Sequence, residues 1–190
     1  MKDQEIVLIE GARTPFINIS GDFRNVTAAD LGAVAAKAAI EKSNIQPEDI
    51  DHVIFGNVQQ SAKDAHFLAR HVGLKAGTPI SVPAVTVNRM CGTGIETIIQ
   101  AAQRIMLGEA EVVLAGGAES MSQVPHVVPG MRWGSPLGAP KMEDWLWDGL
   151  TDTYGGCSMA ETAENLAEKY NITRQEVDIW HLFDELDLRQ

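Results

Sequence analysis

Cys91 is the residue of this sequence whose position is best suited to covalent chemistry. An apolar, strand-like run ends just before it and a helical segment begins just after it, which places the thiol at a helix N-terminus. The positive end of a helix dipole favours a thiolate, and the free N–H groups of a first helical turn can bind an oxyanion. Gly92 and Gly94 have no side chains, so a substrate acyl group can approach the backbone closely. This arrangement is what an enzyme that transfers acyl groups through a covalent intermediate needs.

The spacing around Cys91 leaves two interpretations open. A small cysteine that fills a corner of the core has the same surroundings, and the sequence identifies no catalytic base beside it. Glu119 follows a predicted strand beside two glycines, and it could be a general base or have a structural role in fixing its loop. Cys157 is far from Cys91 in the sequence, and the chain has no CxxC or HExxH motif, so neither a disulfide framework nor a metal site is predicted. None of the five histidines has a second histidine at the spacing of metal ligands. They are His52, His66, His71, His126 and His181.

Alternating strand-like and helix-like segments position Cys91 within the first 120 residues or so. The apolar runs predict four strands, at residues 5–10, 52–58, 84–88 and 112–115. Helices are predicted at residues 31–40 after an N-cap at Thr27, at 65–72 ending at Gly73, and at 96–107 ending at Gly108. This order predicts an α/β fold with a mainly parallel four-stranded sheet flanked by helices.

The sequence changes character after about residue 123, so we predict a core at residues 1–123 and a second region at 124–190. Residues 124–150 contain four of the eight prolines and three of the four tryptophans, which is typical of a long functional loop. A helix is predicted at residues 160–170. Another is predicted to begin at a capping box formed by Thr173 and Glu176.

The composition describes a soluble globular protein, with 45% hydrophobic residues and a net charge of −11. The acidic excess argues against nucleic-acid binding, because nothing basic clusters enough to displace counterions from phosphates. No apolar run is long enough to cross a membrane, and the N-terminus has no signal segment. We therefore expect a cytoplasmic location, with an organelle matrix as the alternative.

Several motifs resemble those of the thiolase family and follow one another in thiolase order. The nucleophile motif is Asn-Arg-Met-Cys-Gly-Thr-Gly at residues 88–94, and the second signature is Gly-Gly-Ala-Glu-Ser-Met-Ser at residues 116–122. Further matches lie at residues 12–16, 56–58, 68–74 and 162–165. The resemblance extends from residue 5 to about 178, while the tail from about residue 179 is atypical. The chain thus resembles the N-terminal portion of a thiolase.

This resemblance implies a fold and a reaction. The fold would be the thiolase N-terminal half without its final strand, followed by part of the helical and irregular loop domain. The reaction would be thiolytic cleavage of a 3-ketoacyl-CoA, or the reverse Claisen condensation, through an acyl thioester on Cys91. The N–H of Cys91 would contribute to the oxyanion hole. Coenzyme A would be a substrate, with no cofactor, and the protein would form a homo-dimer or tetramer.

The resemblance also implies a subfamily and further site residues. Ser158 stands where short-chain biosynthetic thiolases often have histidine, which favours a degradative 3-ketoacyl-CoA thiolase over a biosynthetic acetoacetyl-CoA thiolase. By family analogy Leu150 and Met159 line the acyl and CoA path, and ordinary packing of the loop domain is the alternative for each. The family's catalytic histidine, second cysteine and asparagine lie in its second half. This chain alone is therefore expected to be inactive, and a non-catalytic protein that binds acyl-CoA or a partner subunit is the competing function.

Overall fold

The computed structural model describes residues 5–134 and 137–187, with the backbone alone for residues 184–187. The chain forms two compact units, one up to Pro125 and one from His126 onward.

The first unit contains a parallel sheet of three strands among the described residues. Its helices are α1 (Ala28–Ser43), α2 (Leu68–Ala76) and α3 (Thr93–Met106), and its strands are β1 (His52–Gly56), β2 (Ala84–Val87) and β3 (Val113–Gly117). The strand order is β2-β1-β3, so β1 is central. The predicted α/β arrangement with a mainly parallel sheet is confirmed.

The core of the first unit lies between β1 and the two helices α1 and α2. Three consecutive residues of β1, Val53, Ile54 and Phe55, are buried, as expected of a central parallel strand. Small residues on α1 bring it close to α2. A Cβ on Gly32 would lie 2.8 Å from Cγ2 of Val72. The helix contacts therefore depend on the absence of side-chain volume.

Residues 5–10, predicted as a first strand, do not form one. Their backbone makes no hydrogen bond with another described residue, and the apolar side chains of Val7, Leu8 and Ile9 are exposed. A strand requires a neighbour that pairs with its N–H and C=O groups, and in the described part of the chain β3 pairs only with β1. Among the described residues, the parallel sheet therefore has three strands and not the predicted four.

The predicted helix bounds also change. Helix α1 is three residues longer at each end than the predicted 31–40, and α2 begins at Leu68 and not at residue 65. Helix α2 continues through Gly73 to Ala76, and Gly77, with a φ of 105°, caps it. Gly73 is needed for close packing, because a Cβ there would lie 3.0 Å from the side chains of both Val53 and Thr78. Helix α3 begins at Thr93, three residues earlier than predicted.

The predicted helix N-caps at Thr27 and Thr173 are confirmed. The Thr27 hydroxyl accepts a hydrogen bond from the N–H of Asp30 at the start of α1. The side chains of Thr173 and Glu176 likewise cap each other's backbone N–H. Both follow from the preference for hydroxyls at helix N-caps.

The second unit has short strand pairs and two longer helices. Strands β4 (His126–Val127) and β5 (Glu143–Asp144) pair antiparallel, as do β6 (Thr151–Asp152) and β7 (Cys157–Ser158). A single turn, α4 (Trp145–Asp148), precedes α5 (Met159–Tyr170) and α6 (Arg174–Asp187). Every helix of the described residues is too short or too polar to span a bilayer.

Candidate active site

Cys91 lies at the predicted corner between β2 and α3. Strand β2 ends at Val87, Gly92 is the N-cap of α3, and the Cys91 side chain is exposed. The position predicted from the sequence is confirmed. The corner lies at the carboxyl end of a parallel strand, where α/β proteins commonly bind ligands.

The turn before Cys91 contains an unusual backbone conformation at Met90. Its φ is 50°, in the left-handed region that residues with a Cβ rarely adopt. The N–H of Gly92 donates to the carbonyl of Arg89 at 3.1 Å, and the N–H of Thr93 donates to the carbonyl of Met90 at 3.0 Å. These bonds close a tight turn with Cys91 inside it.

Two side chains hold the Met90 backbone. Oδ1 of Asn88 accepts a hydrogen bond from the N–H of Met90 at 2.9 Å. Oγ1 of Thr93 accepts from the N–H of Arg89 at 2.7 Å and donates to the carbonyl of Met90 at 2.6 Å. We call these three bonds the Met90 clasp. Sequence reasoning did not identify the clasp, although an asparagine at a strand end is a recognised turn signal.

The first turn of α3 presents free donors. Among the described residues, the backbone N–H groups of Gly94 and Ile95 have no hydrogen-bond acceptor. Nη1 of Arg89 lies 2.5 Å from Oε2 of Glu96, so these opposite charges pair at the same helix end. Hydrogen bonds from Gln100 and Arg89 lower the pKa of Glu96. The unpaired N–H groups remain as the donors that could meet developing negative charge.

Gly56 sets the distance between α3 and the sheet. A Cβ on Gly56 would lie 2.3 Å from Cγ2 of Thr93, closer than any real contact. The start of α3 therefore lies directly on the end of β1. The glycine before Asn57, part of a motif noted in the sequence, thus has a steric role beneath the Cys91 corner.

Glu119 fixes the neighbouring loop, as predicted. Its carboxylate accepts hydrogen bonds from Nδ2 of Asn57 at 2.7 Å and from the N–H of Val58 at 2.9 Å. The N–H of Gln59 donates to the same carboxylate at 3.2 Å. Burial raises the pKa of Glu119, and these donors partly oppose that effect. Nδ2 of Asn88 donates to the carbonyl of Val58 at 3.3 Å, which connects this loop to the Met90 clasp.

No base accompanies Cys91 in the described part of the chain. The Cys91 thiol makes no hydrogen bond or ion pair with a described residue. The three histidines of the first unit have other neighbours. Nδ1 of His52 lies near the carbonyl of Val53, and Nδ1 of His66 lies near the side-chain amide of Gln60. Nδ1 of His71 lies 3.0 Å from Oδ2 of Asp64. The described residues also contain no cluster of His, Cys, Asp and Glu arranged to hold a metal ion.

Leu150 and Met159, the predicted substrate-lining residues, belong to the second unit and lie together there. The N–H of Met159 donates to the carbonyl of Leu150 at 2.9 Å, and both side chains are partly exposed. Ser158 is the N-cap of α5 and forms a capping box with Glu161, so its hydroxyl has a structural role. Sγ of Cys157 lies 3.4 Å from Oγ1 of Thr162. The roles predicted for Leu150 and Met159 stay predictions.

Comparisons with known proteins match most of the chain. The profile described as "Thiolase, N-terminal domain" matches residues 6–182. The human 3-ketoacyl-CoA thiolase of mitochondria is 49% identical over 178 residues, which are 93% of this chain and 45% of the human protein. The acetyl-CoA acetyltransferase of Cupriavidus necator is 43% identical over 175 residues, 92% of this chain and 44% of that protein.

Solved structures agree with these matches. The crystal structure of human mitochondrial 3-ketoacyl-CoA thiolase in complex with CoA has a TM-score of 0.88 and 50% identity, covering 90% of this chain and 44% of that chain. For the acetyl-CoA acetyltransferase of Bacillus anthracis the TM-score is 0.84 at 38% identity, covering 88% of this chain and 42% of that one. The chain therefore spans less than half the length of these relatives.

Proposed function

Because this chain belongs to the thiolase family, whose N-terminal domain it carries, we propose that it supplies the nucleophile of a thiolase reaction. Cys91 is the residue that accepts the acyl group. The observation that carries the proposal is the exposed Cys91 thiol at the start of α3, beside N–H groups that have no acceptor among the described residues. Thiolate attack and oxyanion stabilisation are the two functions that such a corner can combine.

The proposed reaction is an acyl transfer in two steps. The Cys91 thiolate attacks the C3 carbonyl of a 3-ketoacyl-CoA, and the C2–C3 bond breaks with its electron pair on C2. Protonation at C2 yields acetyl-CoA and leaves an acyl thioester on Cys91. Free CoA gives up its thiol proton, which replaces the proton delivered to C2, and its sulfur attacks the thioester to form acyl-CoA and release the Cys91 thiolate. The reverse direction is the Claisen condensation. CoA is a substrate here and no resident cofactor takes part.

Oxyanion stabilisation in both steps falls to backbone donors. We assign the N–H of Cys91 to the oxyanion that forms at each tetrahedral intermediate, as the family resemblance implies. The Met90 turn and the start of α3 fix the direction of this peptide. Donors fixed in advance stabilise charge without reorganising during the reaction.

A degradative 3-ketoacyl-CoA specificity is proposed over a biosynthetic one. The relative with 49% identity is named a 3-ketoacyl-CoA thiolase, and the one with 43% identity an acetyl-CoA acetyltransferase. Ser158, which replaces a histidine common in biosynthetic thiolases, caps α5 and is buried. Leu150 and Met159 are assigned to the acyl and CoA path, a role supported by their adjacency and partial exposure.

A homo-dimer or tetramer is the proposed assembly. Exposed isoleucines on α3, Ile95, Ile98 and Ile99, support burial of this helix face against further protein. For location we propose the cytoplasm, with an organelle matrix as the alternative because the human relative is named as mitochondrial.

The same exposed surface favours a second candidate function. With no base beside Cys91 in the described residues, a non-catalytic protein that binds acyl-CoA or a partner subunit would keep this fold without turnover. The two functions differ in whether Cys91 becomes acylated.

Acyl transfer from acetyl-CoA tests the proposed function. Thioester exchange needs only a competent thiolate, so acetyl-CoA should acetylate Cys91 faster than Cys157, as followed by peptide mass spectrometry. The Cys91→Ser variant should lose the label, and the matched Cys157→Ser variant should keep it. Equal labelling of both cysteines, or no label on Cys91, would contradict the proposal and favour the non-catalytic function.

A further inference from the structure

We propose that Thr93 is a positioning residue for Cys91 and acts through the backbone of Met90. This proposal deepens the thiolase function proposed above and rests on it. The Thr93 hydroxyl bonds to the backbone of Arg89 and Met90 and not to the Cys91 thiol, so it holds the peptide that precedes Cys91.

The conformation of Met90 requires something to hold it. A φ of 50° is unfavourable for a residue with a Cβ, and such residues persist where surrounding contacts impose the conformation. The Thr93 hydroxyl bridges both sides of this residue, since it accepts from the N–H of Arg89 and donates to the carbonyl of Met90. Asn88 binds the N–H of Met90 from the strand side. The clasp therefore fixes the peptide bond that leads into Cys91.

The position of the Thr93 hydroxyl is itself fixed by the sheet. Thr93 is only 6% exposed, and its methyl group lies against the bare Cα of Gly56 at the end of β1. The hydroxyl is thus held relative to the central strand. Two contacts therefore fix the position of Cys91 relative to the sheet. The methyl of Thr93 packs on Gly56, and the hydroxyl of Thr93 binds the backbone of Met90.

Loss of the hydroxyl should release Met90 from its left-handed conformation. Cys91 would then leave its fixed position at the start of α3, where the N–H groups of Gly94 and Ile95 have no acceptor among the described residues. A nucleophile that is displaced from its aligned position also loses much of its advantage in rate. The reactivity of Cys91 should fall even where the fold is retained.

A purely structural role for Thr93 is the competing explanation, and Thr97 provides the matched control. Thr97 lies one turn further along α3, is fully buried, and its hydroxyl donates to the carbonyl of Gly94 at 2.7 Å. Replacing either threonine with valine removes one buried hydroxyl and keeps the shape. Only the change at Thr93 affects the Met90 clasp.

The experiment compares alkylation of Cys91 by iodoacetamide in the full chain, with Cys157 as the internal reference. Thr93→Val should lower the ratio of the Cys91 rate to the Cys157 rate by about threefold, the factor expected when a charge loses a helix N-terminus. Thr93→Ser keeps the hydroxyl but loses the methyl that contacts Gly56, so it should restore most of the ratio of the unmodified sequence. Thr97→Val should leave the ratio unchanged.

Three outcomes would overturn the proposal. They are an unchanged ratio in Thr93→Val, an equal fall in Thr97→Val, and failure of Thr93→Ser to restore the ratio. If the Thr93→Val chain does not fold, the same measurement is made on Asn88→Ala. Asn88 is exposed, and its replacement removes the other part of the Met90 clasp. An unchanged alkylation ratio in Asn88→Ala would then overturn the proposal. Failure of the proposed function is a separate result, since absence of acetyl transfer to Cys91 would leave this alkylation series intact.

Discussion

The carboxylate of Glu119 accepts three backbone or amide donors from one loop, from Asn57, Val58 and Gln59. A general base has to reach a substrate proton, whereas this carboxylate is partly buried and both of its oxygens already accept hydrogen bonds. Glu119 therefore stabilises the loop at the carboxyl end of β1. Through Val58 and Asn88 the same loop supports the turn that holds Cys91.

Replacing Glu119 with glutamine should destabilise the chain. The amide nitrogen of glutamine cannot accept a hydrogen bond, so at least one N–H of the loop loses its acceptor, at a cost of about 1–3 kcal/mol. Urea unfolding at constant pH measures the change. The exposed Glu41→Gln on α1 is the control, and an equal effect of the two substitutions would contradict this role for Glu119.

The pH dependence of this difference has a defined sign. Burial raises the pKa of Glu119, so the folded state holds its proton more tightly than the unfolded state. Its contribution to the free energy of unfolding is therefore full below the unfolded-state pKa and declines as pH rises through the folded-state pKa. The stability gap between the unmodified chain and Glu119→Gln should narrow as pH rises from about 4 towards neutrality.

At the scale of elements, the contact between α3 and β1 depends on one missing side chain. The Cα of Gly56 lies beneath Thr93, and the built Cβ would be 2.3 Å from the threonine methyl. Because interiors are close-packed, α3 can respond only by moving away from the sheet. Such a shift would carry the Cys91 corner with it.

Gly56→Ala should therefore destabilise the chain by about 1–3 kcal/mol through overpacking. The free energy of unfolding in urea tests this. Gly94→Ala is a matched control on α3, because a Cβ there meets nothing within 4 Å and alanine favours helix. If Gly56→Ala and Gly94→Ala had equal free energies of unfolding, the contact between Thr93 and Gly56 would not determine the distance of α3 from the sheet.

The elements differ in how far the sequence determines them. The corner at Cys91 could be predicted because its signals are local: an apolar run, two glycines and a helical segment follow one another directly. Residues 5–10 carry an equally apolar run, but a strand also needs a partner, and pairing is not a local property. The Met90 clasp could not be predicted in detail, because it depends on the side-chain conformations of Asn88 and Thr93 in the folded turn. Gly73 misled the prediction because it lies inside α2, where its missing side chain allows close contact with Val53 and Thr78, and it does not end the helix.

At the scale of the whole molecule, the proposed nucleophile has no catalytic base or acid beside it among the described residues. The chain spans 45% of the human relative, and the Cys91 thiol has no ion pair or hydrogen bond among the described residues. Cleavage of a 3-ketoacyl-CoA requires a nucleophile, a group that activates it, and an acid that protonates C2 of the departing acetyl-CoA. Of these three groups, only the proposed nucleophile, Cys91, lies at the corner among the described residues.

We therefore predict that this chain alone has no thiolase turnover. Removing one member of a catalytic unit often costs nearly as much rate as removing all of them, so a well-placed Cys91 should not give partial activity. The measurement incubates purified chain with acetoacetyl-CoA and CoA and follows loss of the 3-ketoacyl absorbance, with the full-length human 3-ketoacyl-CoA thiolase as the positive control. Acylation of Cys91 by acetyl-CoA should still occur, at most once per chain when free CoA is absent. Repeated turnover that disappears in Cys91→Ala would contradict the prediction, because it would require a base and an acid beside Cys91 that the described residues do not place there.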